Sequence, residues 1–113
     1  MRPKVILNCA ASADGKIALS NRQRLELSNN EDFERVHLLR SKYDAILVGI
    51  GTIIEDNPSL TVNPKYNSAK NPIRIVLDTK CRTPRNARIL DGKSKTILAI
   101  GEGTKPAPIQ NAE

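Results

Sequence analysis

Aromatic side chains are scarce: Phe33, Tyr43 and Tyr66 are the only ones in 113 residues, and tryptophan is absent. A core must therefore be built from aliphatic side chains. The chain also lacks the basic run with interleaved aromatics that stacks on single-stranded nucleic acid. Cysteine is almost as rare. Cys9 and Cys81 do not have metal-ligand spacing, and without an export signal they are expected to be reduced thiols, with no metal site. No apolar run approaches the roughly 18 residues of a membrane span. The start, Met1-Arg2-Pro3-Lys4, leads straight into apolar residues and lacks the features of a signal peptide. These absences support a cytoplasmic protein with neither nucleic-acid nor membrane partners. There is no P-loop lysine. After Gly49 and Gly51 the third position of the dinucleotide fingerprint is Ile54, so that motif fails as well.

What is present suits one domain with a modest core. The net charge of +6 is spread along the chain, with a denser patch at Lys80, Arg82, Arg85 and Arg88. Such a patch fits either a phosphorylated small molecule or a solubilising surface. Val5 to Cys9 reads as a buried strand, Asp14-Gly15 as a turn and Ile17 to Leu19 as a short return strand. Ser28 and Glu31 have capping-box spacing, and Phe33, Val36, Leu39 and Tyr43 recur at helical spacing, which predicts a helix from about Asn30 to Lys42. Ala45 to Val48, Ile73 to Leu77 and Thr96 to Ile100 read as further strands, with an exposed loop over Asn63 to Pro72. Continuously apolar strands with intervening helix predict an α/β sheet buried on both faces.

The most informative stretch is Val48 to Val62. An apolar strand ends in Gly49-Ile-Gly51, then Thr52 and Glu55 repeat the capping-box spacing of a short helix. Pro58 disfavours αR geometry at Asn57, so the chain is expected to leave as an extended segment, Leu60 to Val62. A polar cluster of Thr52, Glu55, Asp56 and Asn57 is thereby held beside a glycine turn that brings backbone close to a ligand. At the other end, residues 101–113 form a polar tail broken by proline, expected not to pack, behind a single folded unit of residues 1–100. A parallel strand normally calls for a crossover helix after it, and none follows Ile100, so the domain is expected to be truncated at its carboxyl end.

Four blocks carry a family resemblance: Ala10 to Ala18, Val36 to Arg40, Val48 to Thr52 with Asp56 to Val62, and Pro72 to Thr79. Together they resemble the pyrimidine reductase of riboflavin biosynthesis, the reductase domain of the bifunctional deaminase–reductase family. The resemblance implies a dihydrofolate-reductase-like fold, a predominantly parallel sheet with flanking helices. It also implies NADPH-dependent reduction of a ribosylamino-pyrimidine 5′-phosphate to the ribitylamino form, by a homodimer. In such chemistry the cofactor carries the reaction and the protein supplies positioning and electrostatics. No nucleophile–base pair is then needed, and no catalytic side chain is assigned.

Residue by residue, the resemblance implies that Ala10 and Ala11 let the nicotinamide end of the cofactor approach the first strand. Thr52 and Asp56 would meet cofactor and substrate, Arg40 the substrate phosphate with Leu60 alongside, and Thr79 the adenosine half. Read without the resemblance, Thr52 is equally an N-cap and Arg40 equally a cation near a helix carboxyl end. His37, mid-helix beside Val36 and Leu39, reads as a packed or half-exposed histidine rather than a catalytic one. The chain departs from the family at Arg24-Leu25-Glu26-Leu27, where bacterial relatives carry tryptophan, and at Asn63, where some carry a phosphate-binding arginine. A Glu-Gly-Gly block that holds the cofactor pyrophosphate in the family is absent. Two other functions fit the same residues: another reductase on this fold, and a basic binding module without catalysis.

Overall fold

Three short aliphatic runs build the frame. In the computed structural model, which describes residues 2–8, 30–63, 70–105, 109 and 112–113, they become β1 (Ala45–Gly49), β2 (Ile73–Leu77) and β3 (Thr96–Ala99). The strands lie in the order β1-β2-β3 and both pairings are parallel. Helix α1 (Asn30–Lys42) precedes β1, and the short helix α2 (Ile50–Asp56) follows it directly. A single 3-10 turn, Arg88–Leu90, leads toward β3. The predicted helix and the three later strands are thus present, in a parallel sheet with flanking helices.

The register sets which residues share a face. Val48, Val76 and Leu98 lie side by side, as do Leu47, Ile75 and Ile97. Successive strand residues face opposite sides, so even-numbered positions form one face and odd-numbered positions the other. The even face is the core. Val76 packs there with Ile53, Leu60, Ala87, Ile89 and Leu90, and with the half-buried Ile46, Val48 and Leu98. Among the described residues this core is aliphatic, in line with the scarcity of aromatic side chains. Thr96 is buried among these groups and donates its hydroxyl to the Ile89 carbonyl at 2.7 Å.

The odd face differs from expectation. Leu47 is 56% exposed and Leu77 49% exposed, so the sheet is not buried on both sides among the described residues. The layers explain this: α2 and the 3-10 turn both contribute to the even-face core, and among the described residues no comparable set of buried side chains covers the odd face. Val5 to Asn8 also departs from its expected role as a buried strand. Among the described residues they pair with no strand and they are exposed, and the Asn8 side chain instead accepts a bond from Arg35 of α1 at 2.8 Å. A strand is stable only against a partner edge, and no described strand offers this segment one. Cys9, the Asp14-Gly15 turn, the Ile17–Leu19 strand and Ser28 lie outside the described residues.

The carboxyl-terminal tail packs, contrary to expectation. Ile109 and Ala112 rest against the core, and the Glu113 amide donates to the Thr96 carbonyl at 2.8 Å along the free edge of β3. Lys95 adds an ion pair to the Glu113 carboxylate at 3.0 Å. The proline-rich composition disfavours a helix there, but two apolar residues at the right spacing suffice for contact.

Candidate functional site

Parallel strands end together, and ligands of open α/β sheets bind beyond those carboxyl ends. Here Gly49, Leu77 and Ala99 are neighbours across the three strands, so the segments after them share one rim. After Gly49 the chain makes no separate turn. Gly49 is extended, with φ −84° and ψ 162°, and is itself the N-cap of α2. The expected glycine turn is a strand running straight into a helix, and Thr52 is the third helical residue rather than its cap. The Thr52–Glu55 capping box does not form, because α2 begins three residues earlier than that pairing needs.

The two glycines matter for access instead. A Cβ at Gly49 or Gly51 would meet nothing within 4 Å, and no side chain caps the helix start. The first amide groups of α2 have no partner inside the helix. Thr52 and Asp56 are exposed and four residues apart, so they share one helix face beside this opening. Open backbone next to a hydroxyl and a carboxylate could hold the flat, polar end of a nicotinamide or the hydroxyls of a sugar.

Helix α2 ends as Pro58 requires. Asn57 turns left-handed at φ 45°, its amide bonds the Ile53 carbonyl at 3.1 Å, and its side chain accepts from the Arg88 amide at 2.9 Å. The following segment is not simply extended. Leu60 has φ 56°, an uncommon value for a non-glycine residue, and its side chain is 3% exposed within the core.

Arg40, expected at a phosphate, is half-buried and donates to the Thr61 carbonyl at 3.1 Å, while its Nε is buried without a partner. Burial pulls its pKa below the usual arginine value, though a guanidinium stays charged at any ordinary pH. One turn earlier, His37 accepts the Asn63 amide on Nδ1 at 3.1 Å. Burial lowers the His37 pKa, the charge of Arg40 lowers it further, and a bond to the Thr61 backbone opposes both. The histidine is thus a neutral acceptor that anchors a loop, a packing role of the kind its mid-helix position suggested.

After β2 comes a locked turn. The Asp78 carboxylate is fully buried and accepts from the Arg82 amide at 2.8 Å, the Thr83 amide at 2.8 Å and the Thr83 hydroxyl at 2.6 Å. Burial opposes ionisation of Asp78. The bonds from Thr83 and Arg82, with the Arg82 charge, outweigh it and hold the pKa below the usual carboxylate value. Thr79 sits in this turn with its carbonyl taken by the Gly101 amide and the Thr104 hydroxyl, both at 2.9 Å. A Cβ at Gly101 would lie 2.9 Å from the Thr79 methyl, so only glycine lets the two loops close. Thr79 is therefore rigidly presented and exposed, on the rim shared with α2.

Ala10 and Ala11 lie outside the described residues. Sequence reasoning missed Arg74, which is 0% exposed as the second residue of β2 and bonds Ser59, Asp91 and Ser94. A signal existed: a cation on the inward face of an aliphatic strand must find partners. Among the described residues no group of acidic, cysteine or histidine side chains could hold a metal, and no helix is long and apolar enough to cross a membrane.

Comparison with known proteins gives this geometry a context. The model of the RibD C-terminal domain family matches residues 3–111. A protein of Archaeoglobus fulgidus named 2,5-diamino-6-ribosylamino-4(3H)-pyrimidinone 5′-phosphate reductase is 44% identical over 108 residues, covering 88% of this chain and 49% of that protein. One of the same name in Methanothermobacter thermautotrophicus is also 44% identical over 108 residues, covering 94% and 49%. The chain thus spans about half the length of these curated relatives. A crystal structure from Thermotoga maritima aligns with a TM-score of 0.74 at 30% identity, covering 92% of this chain and 30% of that one. That protein is a diaminohydroxyphosphoribosylaminopyrimidine deaminase/5-amino-6-(5-phosphoribosylamino)uracil reductase.

Proposed function

We propose, from a chain that belongs to the RibD C-terminal domain family, that it serves in NADPH-dependent reduction of a ribosylamino-pyrimidine 5′-phosphate to the ribitylamino form. The observation that carries the reading is the rim of the sheet. Exposed Thr52 and Asp56 stand beside two glycines with open space, in a chain 44% identical to proteins named as that reductase. The names of those relatives favour the diaminopyrimidinone over the deaminated uracil as substrate.

When bound, the nicotinamide cofactor supplies the hydride. The chain's own residues supply position. Gly49 and Gly51 let a planar ring or sugar approach the first turn of α2, and Thr52 and Asp56 hydrogen-bond its polar groups. Ala10 and Ala11 would offer similar close approach. Thr79, fixed by the Asp78 turn, meets the adenosine half, and the exposed Arg82, Arg85 and Arg88 beyond it supply positive charge for a phosphate. Arg40 keeps Nη1 on the Thr61 carbonyl and offers its other terminal nitrogen to the substrate phosphate, near Leu60. Cytoplasmic residence and a homodimer belong to the same reading.

The test follows NADPH absorbance with the gene product and three substrates: the diaminopyrimidinone phosphate, its deaminated uracil counterpart and dihydrofolate. Oxidation of NADPH with the first is expected. Turnover of dihydrofolate alone sinks the reading. Absence of any saturable NADPH binding favours a non-catalytic binding module, and sedimentation of the same sample reports whether it is a dimer.

A further inference from the structure

We propose that Arg74 is a positioning residue: together with Arg40, Asn71 and His37 it holds the Ser59–Asn63 backbone in the one conformation that shapes the sugar-phosphate end of the site. The ligand-binding part of this rests on the reductase reading above. The bonds are regular. Arg74 Nη1 donates to the Ser59 carbonyl at 3.1 Å, and Arg40 Nη1 donates to the Thr61 carbonyl at 3.1 Å. The Val62 amide donates to Asn71 Oδ1 at 2.8 Å, and the Asn63 amide to His37 Nδ1 at 3.1 Å. Side chains from α1, from the approach to β2 and from β2 itself thus take backbone groups along the whole segment. Between the two arginine contacts lies Leu60, left-handed and turned into the core.

A surface loop ordinarily satisfies its backbone with water or with itself. This one is set from outside, and its strained residue is held by bonds on either side, a pattern associated with functional positions. Arg74 is a costly way to do so if stability were the only outcome. An inward strand position is filled as well or better by an apolar side chain than by a buried ion pair. The planar fork of arginine reaches several acceptors at once. Besides Ser59, it binds Asp91 Oδ1 at 3.0 Å and the Ser94 carbonyl at 2.8 Å, so one side chain joins three stretches of chain. The clamped segment begins three residues after the end of α2, which carries Thr52 and Asp56, and contains Leu60. Its position therefore sets the spacing between the two ends of the proposed site.

The test uses the full chain and two readouts: amide exchange at Val62 and Asn63, and calorimetric binding of ribose 5-phosphate and of NADPH. Arg74→Lys keeps the charge but loses the fork. It is expected to raise exchange at both amides about tenfold. It is also expected to weaken ribose 5-phosphate about tenfold while leaving NADPH within about twofold. Asn71→Ala, at a half-buried position outside the core, is expected to act in the same direction, and Asn71→Asp, which keeps the acceptor, to restore both readouts. Unchanged exchange in folded Arg74→Lys and Asn71→Ala overturns the clamp. Faster exchange with unchanged ribose 5-phosphate affinity, or equal loss for both ligands, overturns the positioning role. If the unsubstituted chain binds neither probe, the reductase reading fails, and the exchange data alone decide the clamp.

Discussion

Replacing Asp78 by alanine is expected to destabilise the chain by about 3–5 kcal/mol. The size follows from its partners. The carboxylate is fully buried and accepts three bonds of 2.6 to 2.8 Å from Arg82 and Thr83. Each bond to an ionised acceptor contributes about 1.5–3 kcal/mol net, and the contributions do not add fully. Removing the carboxylate strands two donors of Thr83, itself only 6% exposed, whereas the Arg82 amide belongs to an exposed residue and can find water. Asp78→Asn keeps the shape and one acceptor oxygen, so about 1–3 kcal/mol is expected. Against a total of about 5–15 kcal/mol for a domain of this kind, the alanine variant loses a large share of its stability. Urea unfolding at neutral pH, followed by far-ultraviolet circular dichroism, measures both. A loss below about 1 kcal/mol for Asp78→Ala refutes the account of the turn. The pH arm has a definite sign. Because the folded pKa of Asp78 is depressed, its contribution is present above the ordinary value of 3.8 and disappears as pH falls through the folded value. The gap between the parent chain and Asp78→Asn should therefore narrow on acidification.

Ile53→Ala, at a core position 1% exposed, should cost about 2–4 kcal/mol in the same urea experiment. Gly51→Ala should instead stabilise by about 0.5–1 kcal/mol, since the position is helical and its Cβ meets nothing. The same methyl group should weaken NADPH binding, measured by titration; gain of stability with unchanged binding argues against the glycine opening as a ligand approach. Stability should also fall as pH drops below the ordinary histidine value of 6.5, because the folded pKa of His37 is lowered and the unfolded chain takes up the proton first. A His37→Asn variant should flatten that part of a thermal-melt pH series, and an unchanged slope assigns it to other groups.

Much of the scaffold was legible from local pattern. The helix over Asn30–Lys42 follows from apolar residues at helical spacing, and the runs ending at Gly49, Leu77 and Ala99 are short, aliphatic and bounded by turn residues. The end of α2 was legible for the same reason: Pro58 disfavours αR at its immediate neighbour, and Asn57, which tolerates the left-handed region, closes the helix. Its start was not. Whether Gly49 makes a turn or a direct entry into a helix depends on where the strand stops, which glycine leaves open.

The polar contacts of the site were less accessible. Thr52, Asp56 and Thr79 were named through family resemblance, and their segments follow the carboxyl ends of two neighbouring parallel strands, β1 and β2. Arg40 was named for a phosphate, and the structure shows that part of its guanidinium holds the Thr61 carbonyl. Arg74 stood in plain view in Ile-Arg-Ile-Val-Leu, but nothing in that string says that Ser59, Asp91 and Ser94 will surround it.

The division has a physical cause. Helix and strand preference, the stop at proline and the reliance on aliphatic side chains arise from each residue and its near neighbours, and the sequence by itself determined them. The partner of a buried charge, the exposed odd face, the packing of Ile109 and Ala112 and the clamp on Ser59–Asn63 depend on groups many residues apart. Chain folding alone brings those groups within hydrogen-bonding distance, and only the tertiary structure decided them.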